Sequence, residues 1–356
     1  MQGTTEAVSS SFGLLGMMEN SSTAPETVDH YWEDDMAKFL YAVPSTIFMI
    51  IGTIGNVLSF IIYSQKSMRK SVTSVYFRVL AISDTVVLFS GGLVFFIYGA
   101  FGEDIRLLSE ASCKFWIPLL RISCYHSCWI LVFIALDRFI GVMMPHRYRQ
   151  FCTKQRALIM MAVWFFVVLI TVFVYWAVIL TIDNNACGIG KPYLKFFEDV
   201  YRWFDLVVLN LIPSATLVTV NATIIVKLIR SQMNQTQSSK SSNIKSPTLI
   251  LISVSIVYML CTIPTSTAFI VIGSFHGPRA ASRTKLYIRS CETLYLANHA
   301  VNFFLYCLHG TTFRRELANL FSCKAKKSLS TSSSSHGPST ELSTYRKRSD
   351  KDAPRY

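Results

Sequence analysis

Apolar residues arrive along this chain in seven long runs, separated by shorter polar stretches. Each run is too long for a strand and is the length a bilayer asks of a helix, about 20 apolar residues. The pattern predicts helices over Phe39–Tyr63, Ser74–Tyr98, Cys113–Arg138, Leu158–Leu180, Val200–Ile229, Thr248–Ile272 and Leu286–Leu308. Cys113 and Arg138 stand 25 positions apart, about 37 Å on an α-helix, so the ends of this run belong on opposite sides of a membrane. Within it Leu120, Cys124, Ser127, Leu131, Ile134 and Arg138 recur at alternating steps of four and three, and so share one face. That face is less apolar than lipid contact requires, which turns it into a bundle. After the seventh run, Phe313, Leu317 and Leu320 share a face of Thr312–Leu320, with Arg314, Arg315 and Glu316 turned elsewhere, the pattern of a helix lying on a membrane surface. The expected fold is an all-α membrane protein: a seven-transmembrane helix bundle with a short amphipathic eighth helix. It divides the chain into a disordered amino terminus (1–38), the helical domain (39–310), the amphipathic helix (311–322) and a Ser/Thr-rich tail (323–356).

Charge orients the bundle. The chain is 51% hydrophobic and 15% charged with a net charge of +13, but the positive charge is not a nucleic-acid surface. It lies in the loops that follow the first, third and fifth runs (Lys66, Arg69, Lys70; Arg147, Arg149, Lys154, Arg156; the Ser/Gln/Lys stretch 231–246) and in the tail. Positive loops stay in the cytosol, so the tail is cytosolic and the acidic amino terminus outside, which suits a multi-pass protein of the plasma membrane. Residues 1–38 carry Glu6, Glu19, Glu26, Asp29, Glu33, Asp34 and Asp35 without the basic start of a signal peptide, so the first helix is expected to direct its own insertion. Asn20-Ser21-Ser22 is then a reachable glycosylation sequon. Cys323, ahead of Lys324, Lys326 and Lys327, is a palmitoylation candidate. No phosphate-binding glycine loop, HExxH or GxSxG stands in a suitable context, which excludes the commoner enzymes. A transporter, the competing class, favours internal repeats and matched broken helices, and neither is found.

Several motifs, in order and on the right helices, resemble the rhodopsin-like family of G-protein-coupled receptors. They are Gly55-Asn56-Val57 in the first helix, Leu80-Ala81-Ile82-Ser83-Asp84 in the second, and Asp137-Arg138-Phe139 with Pro145 after the third. Trp164, Pro213, Cys261-Thr262-Ile263-Pro264 and Asn302-Phe303-Phe304-Leu305-Tyr306 follow in the remaining four. The resemblance covers roughly Gly55 to Leu320. It implies an extracellular ligand, a heterotrimeric G protein, receptor kinases and arrestin as partners, and no cofactor beyond an allosteric sodium ion. It implies a disulfide between Cys113 and Cys187, with Cys291 the rival on that side. It implies a G-protein coupling switch of Asp137, Arg138, Asn302 and Tyr306, and a hinge in the sixth helix at Pro264. It also implies a sodium or polar network of Asn56, Asp84, Ser127, Asn298 and Asn302, with Asp84 as the metal ligand; a purely structural polar knot is the alternative. His299 stands beside this group and puts a ring, and a charge when protonated, where sodium would go. Thr262, Phe303, Phe139 and Asn221 depart from the family pattern. No carboxylate lies near Ile244 to meet Arg138 across the bundle, which leaves Asp137 as its expected partner.

Ionisable residues inside a membrane span are functional-site candidates by default. Arg121 and Glu292, in the outer halves of the third and seventh helices, are expected to pair with each other or to meet a ligand. Tyr125 and Tyr295 are further ligand-binding candidates, while Trp116, Tyr201, Trp203 and Tyr295 suit either the pocket mouth or an interfacial aromatic belt. An apolar Leu120 in the place where amine receptors carry an aspartate disfavours amine ligands. Arg121 beside it suits a carboxylate or polar amide. The basic residues Arg279, Arg283, Lys285 and Arg289 break the positive-inside pattern. They either form a funnel for an acidic ligand or pair with the acidic amino terminus. A neuropeptide is the ligand expected, a small acidic or lipid ligand the alternative.

Overall fold

A computed structural model describes residues 31–183, 186–233, 242–272 and 278–332. The first run becomes two helices, α1 (Trp32–Ala42) and α2 (Pro44–Tyr63). Pro44 has no N–H for the Leu40 carbonyl, so the helix is interrupted there, and the Ser45 hydroxyl donates to that carbonyl instead at 3.1 Å. α3 (Val72–Phe101) stops at Gly102, whose φ of 74° is a left-handed conformation that glycine adopts without strain. α4 (Glu110–Met143) starts where the Ser109 hydroxyl accepts from the Ser112 N–H at 3.1 Å. A short α5 (Pro145–Phe151) and α6 (Lys154–Ile179) follow.

A hairpin of β1 (Leu180–Asp183) and β2 (Ala186–Ile189) pairs antiparallel with Ile182 opposite Cys187. The next helical run comprises α7 (Leu194–Phe196), α8 (Arg202–Leu206) and α9 (Ile212–Met233), joined by wider π turns at Phe197–Tyr201 and Val207–Leu211. α10 (Ser242–Ile272), α11 (Ala280–Ala300), α12 (Asn302–His309) and α13 (Thr311–Ser332) complete the described chain.

α4 is the axis. It packs on α3, α6, α9 and α10, and its apolar stretch is 78% buried against 22% for that of α6. Close approach of α2 to α11 and α12 depends on glycine: a Cβ on Gly52 would lie 2.8 Å from the Ala300 Cα, and one on Gly55 2.8 Å from the Phe303 Cβ. Among the described residues six helices are long and apolar enough to cross a membrane. The seventh, α11 with α12, carries Arg283, Lys285, Arg289 and Glu292, so it qualifies by partners rather than by composition.

The largest boundary shifts share one reason. The first helix begins at Trp32 rather than Phe39, the fifth at Leu194 rather than Val200, the sixth at Ser242 rather than Thr248 and the seventh at Ala280 rather than Leu286. Each extension carries charged or polar residues that break the apolar run, and apolar periodicity stops there. Residues 32–38 are accordingly helical, not part of a disordered terminus. α13 also runs past residue 322, to Ser332. Residues 317–332 belong to the second of two units and are helical. Asn20 and the tail beyond Ser332 lie outside the described residues, as does the side chain of Cys323.

Candidate functional site

Near the Cys113 end, α4, α8, α10 and the seventh helix line a cavity. Its charged centre is a pair that sequence reasoning missed. Arg121 Nη1 lies 3.1 Å from Asp205 Oδ2, and Asp205 Oδ1 accepts from the Tyr125 hydroxyl at 2.7 Å. The π turns on either side of α8 change the helical register, and Asp205 sits between them. Arg121 also lies over the Trp176 ring at 5.3 Å, whose indole N–H donates to the Tyr201 hydroxyl at 3.0 Å. The Arg121 side chain is 5% exposed and that of Asp205 24%, so the carboxylate is the more accessible member of the pair; both line the cavity, as does Arg202. Arg121 thus has Asp205 as its counter-charge, a partner that the sequence reading did not weigh. Tyr295 and Tyr201 are both buried cavity-lining residues. Trp203 is half exposed, as a belt residue is.

Pro213 shapes the lower wall. It has no N–H, so the carbonyls four and five positions before it are free for other donors. The Leu209 carbonyl accepts from the Tyr258 hydroxyl and from the Cys128 thiol at 3.4 Å, and the Val208 carbonyl accepts from the Trp129 indole at 3.2 Å. The kinked helix is thereby tied to α4 and α10. Above the cavity a disulfide joins Cys113 to Cys187, with Cα atoms 5.7 Å apart, fastening α4 to the hairpin; Cys291 is a free thiol.

Glu292 lines a second cavity. It accepts from the Tyr41 hydroxyl, and Arg289 lies 3.8 Å away, its guanidinium 3.9 Å from the centre of the Tyr41 ring. The basic rim is occupied: Lys285 meets Asp34 at 3.0 Å, Arg283 meets Glu33 at 3.8 Å, and the Ser282 hydroxyl donates to Asp34 at 2.7 Å. Acidic residues of α1 thus take up Arg283 and Lys285, while Arg279 lies over the Tyr31 ring at 4.7 Å and Arg289 beside Glu292.

Asp84 is the polar centre of the bundle. Its Oδ1 accepts from the Ser127 hydroxyl at 2.5 Å and lies 2.8 Å from His299 Nδ1, and its Oδ2 accepts from the Asn302 amide at 2.7 Å. Two expected members are placed differently. Asn56 donates to the His299 carbonyl at 3.1 Å, and Asn298 is buried without a hydrogen bond to Asp84. His299, one position on, has the place expected for Asn298. A sodium ion fits this set poorly, because donors already surround the carboxylate.

At the opposite end of α4, Arg138 Nη2 lies 3.1 Å from Asp137 Oδ2 and donates to the Thr73 hydroxyl. The Tyr148 hydroxyl donates to the same Asp137 oxygen at 3.1 Å. Burial raises the Tyr148 hydroxyl above its ordinary range against the pull of Arg138, so it keeps the proton it donates. Burial, and then the neighbouring Asp137, push the Cys152 thiol up to about 12, which keeps it an unreactive thiol at neutral pH. Tyr306 is elsewhere, packed among Phe77, Tyr63 and Phe313 with ring centres 4.9–5.6 Å apart, and Asn302 belongs to the Asp84 group. The four expected switch residues thus occupy three separate sites in this conformation.

The profile of the 7 transmembrane receptor (rhodopsin family) matches residues 55–306, well over half of the chain. The chain belongs to the rhodopsin-like receptor family. This receptor is 20% identical over 334 residues to a probable G-protein coupled receptor of Caenorhabditis elegans, covering 87% of its own length and 74% of the relative's. It is 24% identical over 305 residues to the C-C chemokine receptor type 1 of Macaca fascicularis, covering 80% of each. It is 26% identical over 301 residues to the FMRFamide receptor of Drosophila melanogaster, covering 76% of this chain and 52% of the relative. As a member of this family the receptor is a multi-pass membrane protein, is not an enzyme and needs no cofactor, with sodium an allosteric ion at most. Two residues escaped the sequence reading, Asp205 and Tyr148. A carboxylate inside an apolar run is a signal that was available for the first. The second stands in the short helix that Pro145 opens.

Proposed function

We propose that the receptor binds an extracellular peptide in the cavity around Arg121 and Asp205. Binding there activates a heterotrimeric G protein at the Arg138 end. The observation that carries this reading is the ion pair of Arg121 and Asp205 in the wall of a cavity between α4, α8, α10 and the seventh helix, with the carboxylate its more accessible member. The relatives named for FMRFamide and for chemokines support a peptide. The exposed partner is acidic, so the ligand group that reaches it is a donor: a basic side chain, an amino terminus or an amide. Leu120 still argues against a small amine. The ligand shifts a two-state equilibrium by its differential affinity for the two states. In the active state α10 swings outward about Pro264 and opens the bundle at Arg138, which exchanges its Asp137 and Tyr148 contacts for the α-subunit.

The plasma membrane, with the amino terminus outside, is the setting that the basic loops support. Asn20 would then carry glycan and Cys323 palmitate, and α13 would lie on the inner leaflet. The hydroxyl-rich stretch from Ser328 to Ser335 would receive about −1.5 to −2 charges per phosphate from receptor kinases and recruit arrestin. A peptide-library screen with a promiscuous G-protein readout tests the reading. Hits carrying a basic or amide group, weakened by Asp205→Asn, are expected. A best agonist that is purely acidic and indifferent to this substitution would contradict it.

A further inference from the structure

The Asp84 group differs in kind from a sodium site. An ion there needs carboxylate lone pairs turned toward it and several neutral oxygens around it. Asp84 offers about four acceptor positions, and three protein donors take three of them: the Ser127 hydroxyl, the His299 imidazole and the Asn302 amide. Asn298, an oxygen the family pattern would add, makes no hydrogen bond to the carboxylate.

We propose that the His299 side chain takes the place of the ion at Asp84, so that the receptor closes its polar core to sodium with a residue of its own. A ring nitrogen 2.8 Å from a carboxylate oxygen requires a proton between them, since two lone pairs at that distance repel. That proton already stands on the side of Oδ1 from which a cation would approach. If the ring is neutral, its Nδ1–H fills the position. If it is charged, the imidazolium adds repulsion to the obstruction. Both states exclude the ion, so the claim does not depend on which one is present.

The ring is also held in place. Its backbone carbonyl accepts from Asn56, which anchors this turn of α11 to α2, and the Tyr295 ring lies 5.0 Å away. The other ring nitrogen, Nε2, is buried with no partner. A buried polar atom left unsatisfied carries a cost, and the Asp84 contact offsets it. The Asp84 carboxylate therefore keeps a protein partner in every ionic condition.

Thermal unfolding of the purified full-length receptor, in sodium chloride and in choline chloride at equal ionic strength, tests this without any ligand. The wild-type midpoint is expected to be the same in both salts. His299→Ser should open the site and gain a sodium-dependent rise of about 2 °C or more, and adding Asp84→Asn to that variant should abolish the gain. His299→Asn provides a second route if the serine variant does not fold. A wild-type midpoint that rises with sodium, and stops doing so in Asp84→Asn, would overturn the proposal, and this comparison stands even if neither His299 variant folds. Folded His299 variants that both remain indifferent to sodium would also overturn it, because something other than His299 would then close the site.

Discussion

Asp205 is the residue on which the proposed ligand site turns. It is held by Arg121 at 3.1 Å and by Tyr125 at 2.7 Å, and removing either donor has a separable effect. Tyr125→Phe deletes one hydrogen bond to a charged group, worth about 1.5–3 kcal/mol, and should lower the unfolding midpoint of the purified receptor. Arg121→Leu leaves a largely buried carboxylate without its counter-charge, at about 3 kcal/mol or more. The double variant Arg121→Leu/Asp205→Leu should recover most of that loss, because a buried ion pair replaced by apolar groups is often neutral. A double variant no more stable than the single would show that the pair contributes in some other way. At this scale the sequence exposed Arg121, Glu292 and Asp84, because charges inside apolar runs stand out. It could not show which partners they choose: Arg121 and Glu292 lie on helices that face each other in the pattern, yet each is neutralised elsewhere, by Asp205 and by Tyr41 with Arg289.

The elements tell the same story at their ends. Apolar periodicity located all seven helices, and it missed the extensions at Trp32, Leu194, Ser242 and Ala280 because charged or polar residues interrupt those turns. Two of them meet in a clasp, in which Glu33 and Asp34 of α1 pair with Arg283 and Lys285 of α11. The Glu33 and Asp34 side chains are the more buried members, so the clasp is more than a loose surface contact. Lys285→Glu should cost about 1 kcal/mol and raise amide exchange across residues 32–42. Asp34→Lys on the same background should restore protection. Unchanged exchange in Lys285→Glu would mean that α1 is held by apolar packing alone. Pro44 and Pro213 were equally visible in the sequence. What was not visible is where their freed carbonyls go, since Ser45, Tyr258, Cys128 and Trp129 reach them only in the folded chain.

At the scale of the whole receptor, one helix joins the two ends that the proposed function couples. α4 carries Arg121 toward the cavity and Arg138 at its far end, with Ser127 and the Asp84 group between them. The order of the motifs made the family legible in the sequence. The ligand is less legible, because Asp205 lies outside every motif. The tail should act after signalling: truncation following Lys327 is expected to abolish agonist-driven arrestin recruitment and to leave surface expression intact. Undiminished recruitment would move the arrestin site to the loops. The measurement that bears most directly on the central claim is agonist-driven nucleotide exchange on a heterotrimeric G protein by the purified receptor in lipid nanodiscs. Wild type, Asp205→Asn and Arg138→Leu are compared, with agonist binding followed in parallel. The account predicts that Asp205→Asn shifts both the binding and the exchange curves to higher agonist concentration. Arg138→Leu should lose exchange while still binding agonist. Exchange and binding unaltered by Asp205→Asn, or full exchange in Arg138→Leu, would contradict it.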